Sequence, residues 1–216
     1  MRSDLPLDRA WLVQRLLGAD RRAPRVAGDV RVAAPGAQST AAAGMDEAFA
    51  LSAVPAAVLV PLIAHERGIT VLLTQRASHL SRHPGQIAFP GGRHDPGDAS
   101  IVDTALREAH EEVGLAPARI DVLGVLPEYR TRTGFRITPV VGWIEPPFTA
   151  QPDAGEVAEV FEMPLAFALD PANHERHHRD SDEGRRYFYV LPFEDRYIWG
   201  ATAAMLVNLH HVLAGD

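Results

Sequence analysis

The 216-residue chain has no cysteine and no lysine, so each of its 21 basic residues is an arginine. Lack of cysteine excludes disulfides, thiolate zinc sites and a thiol nucleophile. Lack of lysine excludes Schiff-base chemistry and a phosphate-loop lysine. The longest apolar stretch, residues 53–64, is too short and too interrupted by proline to span a bilayer. Nor does Met1-Arg2-Ser3-Asp4 carry an apolar targeting core, or Ala214-Gly215-Asp216 a peroxisomal address, so the cytoplasm is the expected compartment. The formal net charge of −7 argues against non-specific nucleic-acid binding through a basic surface. Of the common hydrolytic strategies, metal-activated water remains.

A hydrophobic content of 46% is ample for one domain with a small appendage. Residues 7–17 predict a short helix with Leu7, Trp11, Leu12 and Leu16 on its apolar side, and the Ala, Gly, Ser and Pro stretch at 33–44 reads as a linker or arm. The expected division is therefore an N-terminal helix and arm over 1–50 and a catalytic domain over 51–216. Strands are expected at 56–63 and 69–74, joined by a turn at Arg67-Gly68, and again at 120–125 and 137–144, where β-branched residues are dense. A helix is expected over 198–213, with Met205 and Leu206 in the core. His174 and His178 have the spacing of a helical zinc pair, but the run from 174 to 180 is densely charged and has no third ligand, so it reads as a solvated loop.

The chemistry concentrates in Phe89-Pro90-Gly91-Gly92 and in Arg107-Glu108-Ala109-His110-Glu111-Glu112-Val113-Gly114-Leu115. Ser100 with Asp103 resembles a capping box, and Gly114 stands where a left-handed residue would end the helix. Ile101, Val102, Ala105, Leu106, Ala109 and Val113 form its apolar stripe. Beside that stripe, Glu108, Glu111 and Glu112 fall within an arc of roughly 100°. Such like charges disfavour an isolated helix by a few tenths of a kcal/mol per pair, so the cluster needs a counter-ion. Mg²⁺ or Mn²⁺, which take carboxylate oxygens together with phosphate oxygens, would supply it. Arg76, His79, Arg82 and His83 lie just ahead of the glycine turn, where guanidinium groups could grip phosphate. Gly91 and Gly92 would let the backbone approach a substrate without a Cβ in the way. Downstream, Glu156 and Glu159 compete with Glu111 as the proton acceptor.

These residues resemble the Nudix hydrolase family, whose pattern is a Gly, a Glu six residues on and, after seven more, Arg-Glu-apolar-x-Glu-Glu-x-Gly-apolar. The second half matches in full. In the first half Asp98 stands in the place of the Glu, and eight residues separate it from Arg107. The resemblance implies an α/β/α sandwich with a mixed β-sheet, Glu108, Glu111 and Glu112 as metal ligands, and Arg107 orienting the carboxylates. Leu72-Leu73-Thr74-Gln75-Arg76-Ala77, followed by Gly85-Gln86-Ile87-Ala88-Phe89-Pro90-Gly91-Gly92, looks like the mark of the coenzyme A pyrophosphatase subgroup, although Ser81 and then Arg82 stand where the subgroup has an Arg at the first position. That subgroup implies metal-dependent hydrolysis of coenzyme A to 3′-phosphoadenosine 5′-phosphate and 4′-phosphopantetheine. Arg76 and Arg82 would bind the substrate, and a homodimer is left open. Two alternatives stand beside it: another nucleoside diphosphate derivative such as ADP-ribose or NADH, and a non-catalytic Nudix-fold regulator that binds a nucleotide.

Overall fold

The computed structural model describes residues 7–18, 26, 30–32, 53–181 and 184–215. Helix α1 (Arg9–Leu16) starts at Asp8, whose carboxylate accepts the Trp11 N–H at 2.8 Å, and it buries Leu12 and Leu16. Strands β2 (Val54–His65) and β3 (Gly68–Arg76) form an antiparallel hairpin in which His65 faces Gly68. The turn between them is the one expected at Arg67-Gly68, and Gly68 supplies its positive φ of 133°.

Strand β2 also pairs in parallel with β8 (Phe135–Ile144), from Val54 opposite Phe135 to Ile63 opposite Ile144. The other pairings are antiparallel: β6 (Asp121–Val125) and β7 (Tyr129–Arg130) with β8, β5 (Gly91–Arg93) with β2, and β4 (Ile87–Ala88) and β9 (Val157–Pro164) with β3. The eight-stranded sheet is therefore mixed, as expected. Its central strand β2 is buried along most of its length because both faces are covered. Ala57, Leu59 and Ile63 pack with Ala105, Ala109 and Val113 of helix α2 (Ile101–Val113) on one face. Val60 and Leu62 pack on the other face with α1, with the short α3 (Leu165–Ala168) and with α4 (Ala201–Ala214). The result is the α/β/α sandwich.

A second, four-stranded sheet joins β1 (Val30–Val32), β10 (Glu175–Ser181), β11 (Gly184–Phe193) and β12 (Arg196–Trp199). It corrects two readings. Most of the run from 174 to 180 is not a solvated loop: Glu175 to Ser181 pair residue for residue with β11, from Val190 back to Gly184. The cause is the partner, since the aromatic Tyr187-Phe188-Tyr189 of β11 holds a strand whose own polar composition disfavours one. The helical zinc spacing of His174 and His178 therefore never forms, and the His174 ring is 2.8 Å from the Ala168 carbonyl, to which its Nε2–H donates. At the other end, Ile198 and Trp199 belong to β12 rather than to the C-terminal helix, because Gly200, at φ 64°, breaks the chain before α4 begins.

Described residues on both sides of position 50 share one core. Leu12 and Leu16 lie in the same cluster as Leu206 and Leu213 of α4. Asn208 of α4 holds residue Val26 from both sides, accepting its N–H at 3.0 Å and donating to its carbonyl at 3.0 Å. Strand β1 pairs with β11. The linker expected at 33–44 lies outside the described residues. Among those described, no helix is long and apolar enough to cross a membrane.

Candidate active site

Helix α2 builds the site, and its ends are fixed as its sequence predicts. The Ser100 hydroxyl accepts the Asp103 N–H at 3.2 Å and donates to the Asp103 carboxylate at 2.7 Å. Gly114, at φ 71°, sends its N–H back to His110 while the Leu115 N–H reaches Ala109, which closes the helix with left-handed geometry. The next orphan carbonyls are covered by an incoming loop: Gln151 N–H donates to Val113 and Asp153 N–H to Glu112, both at 2.9 Å. That loop leads directly to Glu156, whose carbonyl accepts the Ala77 N–H at 2.8 Å at the end of β3. Capping the helix thus also brings a downstream acid toward the α2 glutamates.

Of the three α2 acids, Glu112 is the most enclosed, with 5% of its surface exposed. The Gly91 N–H hydrogen-bonds its carboxylate, and Arg76 Nη1 lies 4.0 Å away. Burial pushes the Glu112 carboxyl up to about 8; Arg76 opposes the shift, and the nearby Glu156 and Glu108 add to it. Glu108 is raised as well, first by burial, against the pull of Arg107. Glu111 is the outer member, more than half exposed, and its carboxylate meets Arg107 Nη1 at 3.0 Å.

The two glycines serve the protein's own packing. A Cβ on Gly92 would sit 2.5 Å from the Glu108 carboxyl carbon, and one on Gly91 would run into the backbone of Ala57 and Val58 on β2. The backbone at Gly91 lies against β2, and that at Gly92 lies against the Glu108 carboxylate. Glycine lets the carboxylate of Glu108 lie on the backbone and lets β5 approach β2 closely.

Arg107 is the hub of the ion-pair network. Its Nε and Nη2 grip Asp98 at 2.9 and 3.1 Å, its Nη1 donates to Glu108 at 2.8 Å and to Glu111 at 3.0 Å, and its Nη2 reaches the Arg93 carbonyl at 3.2 Å. This bidentate grip, together with hydrogen bonds from Asp95 N–H and Thr104, holds the Asp98 carboxyl well below the usual carboxylate range, while Asp98 raises the Arg107 guanidinium further. Asp98, which occupies the glutamate place of the sequence pattern, is thereby committed to Arg107. Spacing alone showed its position but not this partnership, because the loop that delivers it carries one residue more than the pattern.

The remaining candidates separate clearly. Arg76 joins the site through Glu112. Arg82 and His83 are exposed in the following turn, and His79 is drawn aside, its Nε2 lying 3.1 Å from the Gly155 carbonyl. Glu156 is exposed beside Glu112 and acts on its charge. Glu159 is bound elsewhere: Arg196 Nη2 meets it at 2.6 Å, and the same guanidinium lies 4.4 Å from the Phe161 ring centroid. Its carboxylate is thereby paired with a cation.

Among the described residues, no group of three or more metal-binding side chains is gathered at ligating distance. Arg107 accounts for the spread, since it holds Glu108 and Glu111 by their oxygens. The donor set nevertheless suits a hard divalent cation: every donor is a carboxylate oxygen, and the charges of Glu108 and Glu156 raise the proton affinity of Glu112 while those of Glu111 and Glu156 raise that of Glu108, a repulsion that a cation would replace. A pH dependence follows. In metal-free protein the folded state keeps the Glu112 proton up to about pH 8, whereas the unfolded chain loses it near its ordinary 4.5. The folded state therefore binds more protons between those values, and stability falls as pH rises through that window. Thermal melts in EDTA should show Tm declining from about pH 5 to about pH 8, and Glu112→Gln should flatten the decline. An unchanged slope in that variant would contradict the assignment.

Comparison with known proteins agrees with this geometry. The Nudix domain profile matches residues 53–192. A protein of Pectobacterium atrosepticum named "Uncharacterized Nudix hydrolase NudL" is 47% identical over 159 residues, covering 71% of this chain and 80% of its own. Its namesake in Escherichia coli O1:K1 is 43% identical over 159 residues, with the same coverage. Among solved structures, a C. elegans Ap4A hydrolase binary complex aligns over 54% of this chain and 83% of its own at 23% identity, with a TM-score of 0.45. With the profile spanning most of the chain and these relatives covered over four-fifths of their length, the chain belongs to the Nudix hydrolase family.

Proposed function

We propose that the protein is a metal-dependent pyrophosphohydrolase that cleaves the phosphoanhydride of coenzyme A or its derivatives, giving 3′-phosphoadenosine 5′-phosphate and 4′-phosphopantetheine. The observation that carries this reading is the placement of Arg76, a side chain suited to gripping phosphate, 4.0 Å from the buried Glu112, on whose charge Glu108 and Glu156 also act. Anion-binding and cation-binding groups thus share one rim, as a metal diphosphate requires.

Glu108, Glu111 and Glu112 would hold Mg²⁺ or Mn²⁺. When bound, such an ion neutralises diphosphate charge and makes water acidic enough to attack near neutral pH. Arg107 orients Glu108 and Glu111 through its Nη1, and Asp98 fixes Arg107. Arg76 takes a phosphate oxygen, with Arg82 close behind it in the chain. Glu156, exposed beside Glu112, is placed to accept the proton of the attacking water, and Glu111 is the other acid so placed. The water oxygen bonds to one phosphorus as the bridging P–O bond breaks, and the leaving phosphate carries the electron pair away.

The substrate assignment rests on residues 72–77 and 85–92 and on the extra residue before Arg107. Ser81 at the expected arginine position favours a second reading, in which the diphosphate belongs to ADP-ribose or NADH. Purified protein incubated with coenzyme A, ADP-ribose, NADH or dGTP, each with Mg²⁺, Mn²⁺ or EDTA, separates these readings by mass-resolved product analysis. Metal-dependent release of phosphopantetheine from coenzyme A alone is the expected result. Cleavage of another dinucleotide instead would keep the hydrolase and discard the subgroup, and no turnover on any would favour the nucleotide-binding regulator.

A further inference from the structure

Behind Arg107 stands a short chain of partly buried hydrogen bonds that the reaction as described does not use. Thr104, one turn before Glu108 on α2, is fully buried. Its hydroxyl lies 2.8 Å from Asp98 Oδ2 and 2.8 Å from His94 Nδ1, and 3.4 Å from the Ser100 carbonyl. A hydroxyl has one proton to give. Asp98, ionised on Arg107, can only accept, so the Thr104 proton goes to Asp98 and the Thr104 oxygen is left as an acceptor. His94 must therefore be the donor, with its proton on Nδ1. The His94 backbone is anchored separately, its N–H donating to the Pro55 carbonyl at 3.0 Å on the sheet's central strand.

We infer that His94 and Thr104 are positioning residues for the acidic cluster, aligning Asp98 so that its two oxygens hold Arg107, which in turn sets Glu108 and Glu111. The order is His94 Nδ1–H to Thr104 Oγ, Thr104 O–H to Asp98, and Asp98 to Arg107, so sheet and helix are coupled through four side chains. Each bond is directional, and only one arrangement of donors satisfies all of them. Outer partners of this kind govern how tightly a site holds its ion, with losses of about 10- to 100-fold when one is removed. The inference rests on the proposal that the α2 glutamates take a divalent cation.

The test is a set of single variants of the full chain, titrated with Mn²⁺ by calorimetry and assayed on the substrate identified by product analysis, with Tm measured for each. Thr104→Val keeps the shape and removes both bonds; it should raise the Mn²⁺ Kd and lower kcat at least about tenfold, with the substrate KM little changed. Thr104→Ser restores the hydroxyl and should return both quantities close to the parent values. His94→Ala should weaken Mn²⁺ binding, and His94→Asn, which presents a donor near the Nδ1 position, should recover it. Because Thr104→Val also leaves polar groups unpaired and so lowers Tm, the contrast of His94→Ala with His94→Asn at matched Tm decides the matter. A parent-like Mn²⁺ Kd and kcat in both Thr104→Val and His94→Ala would overturn the inference and leave the hydrolase reading intact. Parent protein that binds Mn²⁺ but cleaves nothing, with the Kd series as expected, would overturn the hydrolase reading and support the inference.

Discussion

Glu112→Gln is expected to lower kcat by at least about 100-fold, equivalent to roughly 2.7 kcal/mol of transition-state stabilisation, without unfolding the protein. The side chain is almost fully enclosed, held by the Gly91 N–H and faced by Arg76 at 4.0 Å. Glutamine preserves its volume and can accept the same N–H, so the core of α2 should survive. What it cannot do is offer an anionic oxygen to a cation. The loss should appear in kcat and kcat/KM together, because the missing interaction is made to the reacting diphosphate rather than to the distant parts of the substrate. Glu111→Gln should act in the same direction and to a similar extent. Its exposed position makes it the cleaner comparison, since there burial contributes little to the effect. Steady-state kinetics across a metal titration would check both variants, and near-parental kcat in the two would mean that the acids are only surface charge.

Asp98→Ala is the second large effect. The substitution removes both oxygens that hold Arg107 Nε and Nη2, and also the acceptor for Thr104 and for the Asp95 N–H. Arg107 then keeps only Glu108, Glu111 and the Arg93 carbonyl, and its guanidinium can swing with them. A drop in kcat of about 10- to 100-fold is expected, with weaker metal binding and a lower Tm. Asp98→Glu tests the extra residue in the loop: the longer side chain matches the family's usual carboxylate but must fit a longer path, so it should recover only part of the activity. Full activity in Asp98→Ala would show that Arg107 orients the cluster unaided.

Much of this arrangement could be read from residue order because it is local. Ser100, the apolar stripe from Ile101 to Val113 and Gly114 specify α2 through the 3.6-residue period and through two caps, and the same period places Glu108 and Glu112 one turn apart. The β2–β3 hairpin follows similarly from two apolar runs around a glycine. What residue order did not show was mostly non-local. Residues 175–181 have the composition of a loop, and only the aromatic strand β11 makes them a strand. Contacts between the N-terminal helix and the C-terminal one are equally long-range: Leu12 and Leu16 share a cluster with Leu206 and Leu213 of α4, and Val26 is held by Asn208. Nor does anything beside Gly91 and Gly92 in the chain announce that β2 and Glu108 will press against them.

Sequence by itself determined the helix, its acidic face, the glycine turn and the family, since each depends on contacts within about one or two turns or on a motif of fixed spacing. Only the tertiary structure decided which acids do what. It buried Glu112 and left Glu111 at the surface, gave Asp98 to Arg107, took Glu159 away to Arg196 and brought Glu156 to the end of β3, where its charge acts on Glu112. The physical reason is that a carboxylate's role is set by its dielectric surroundings and its nearest cation, and both of those come from segments far apart in the chain.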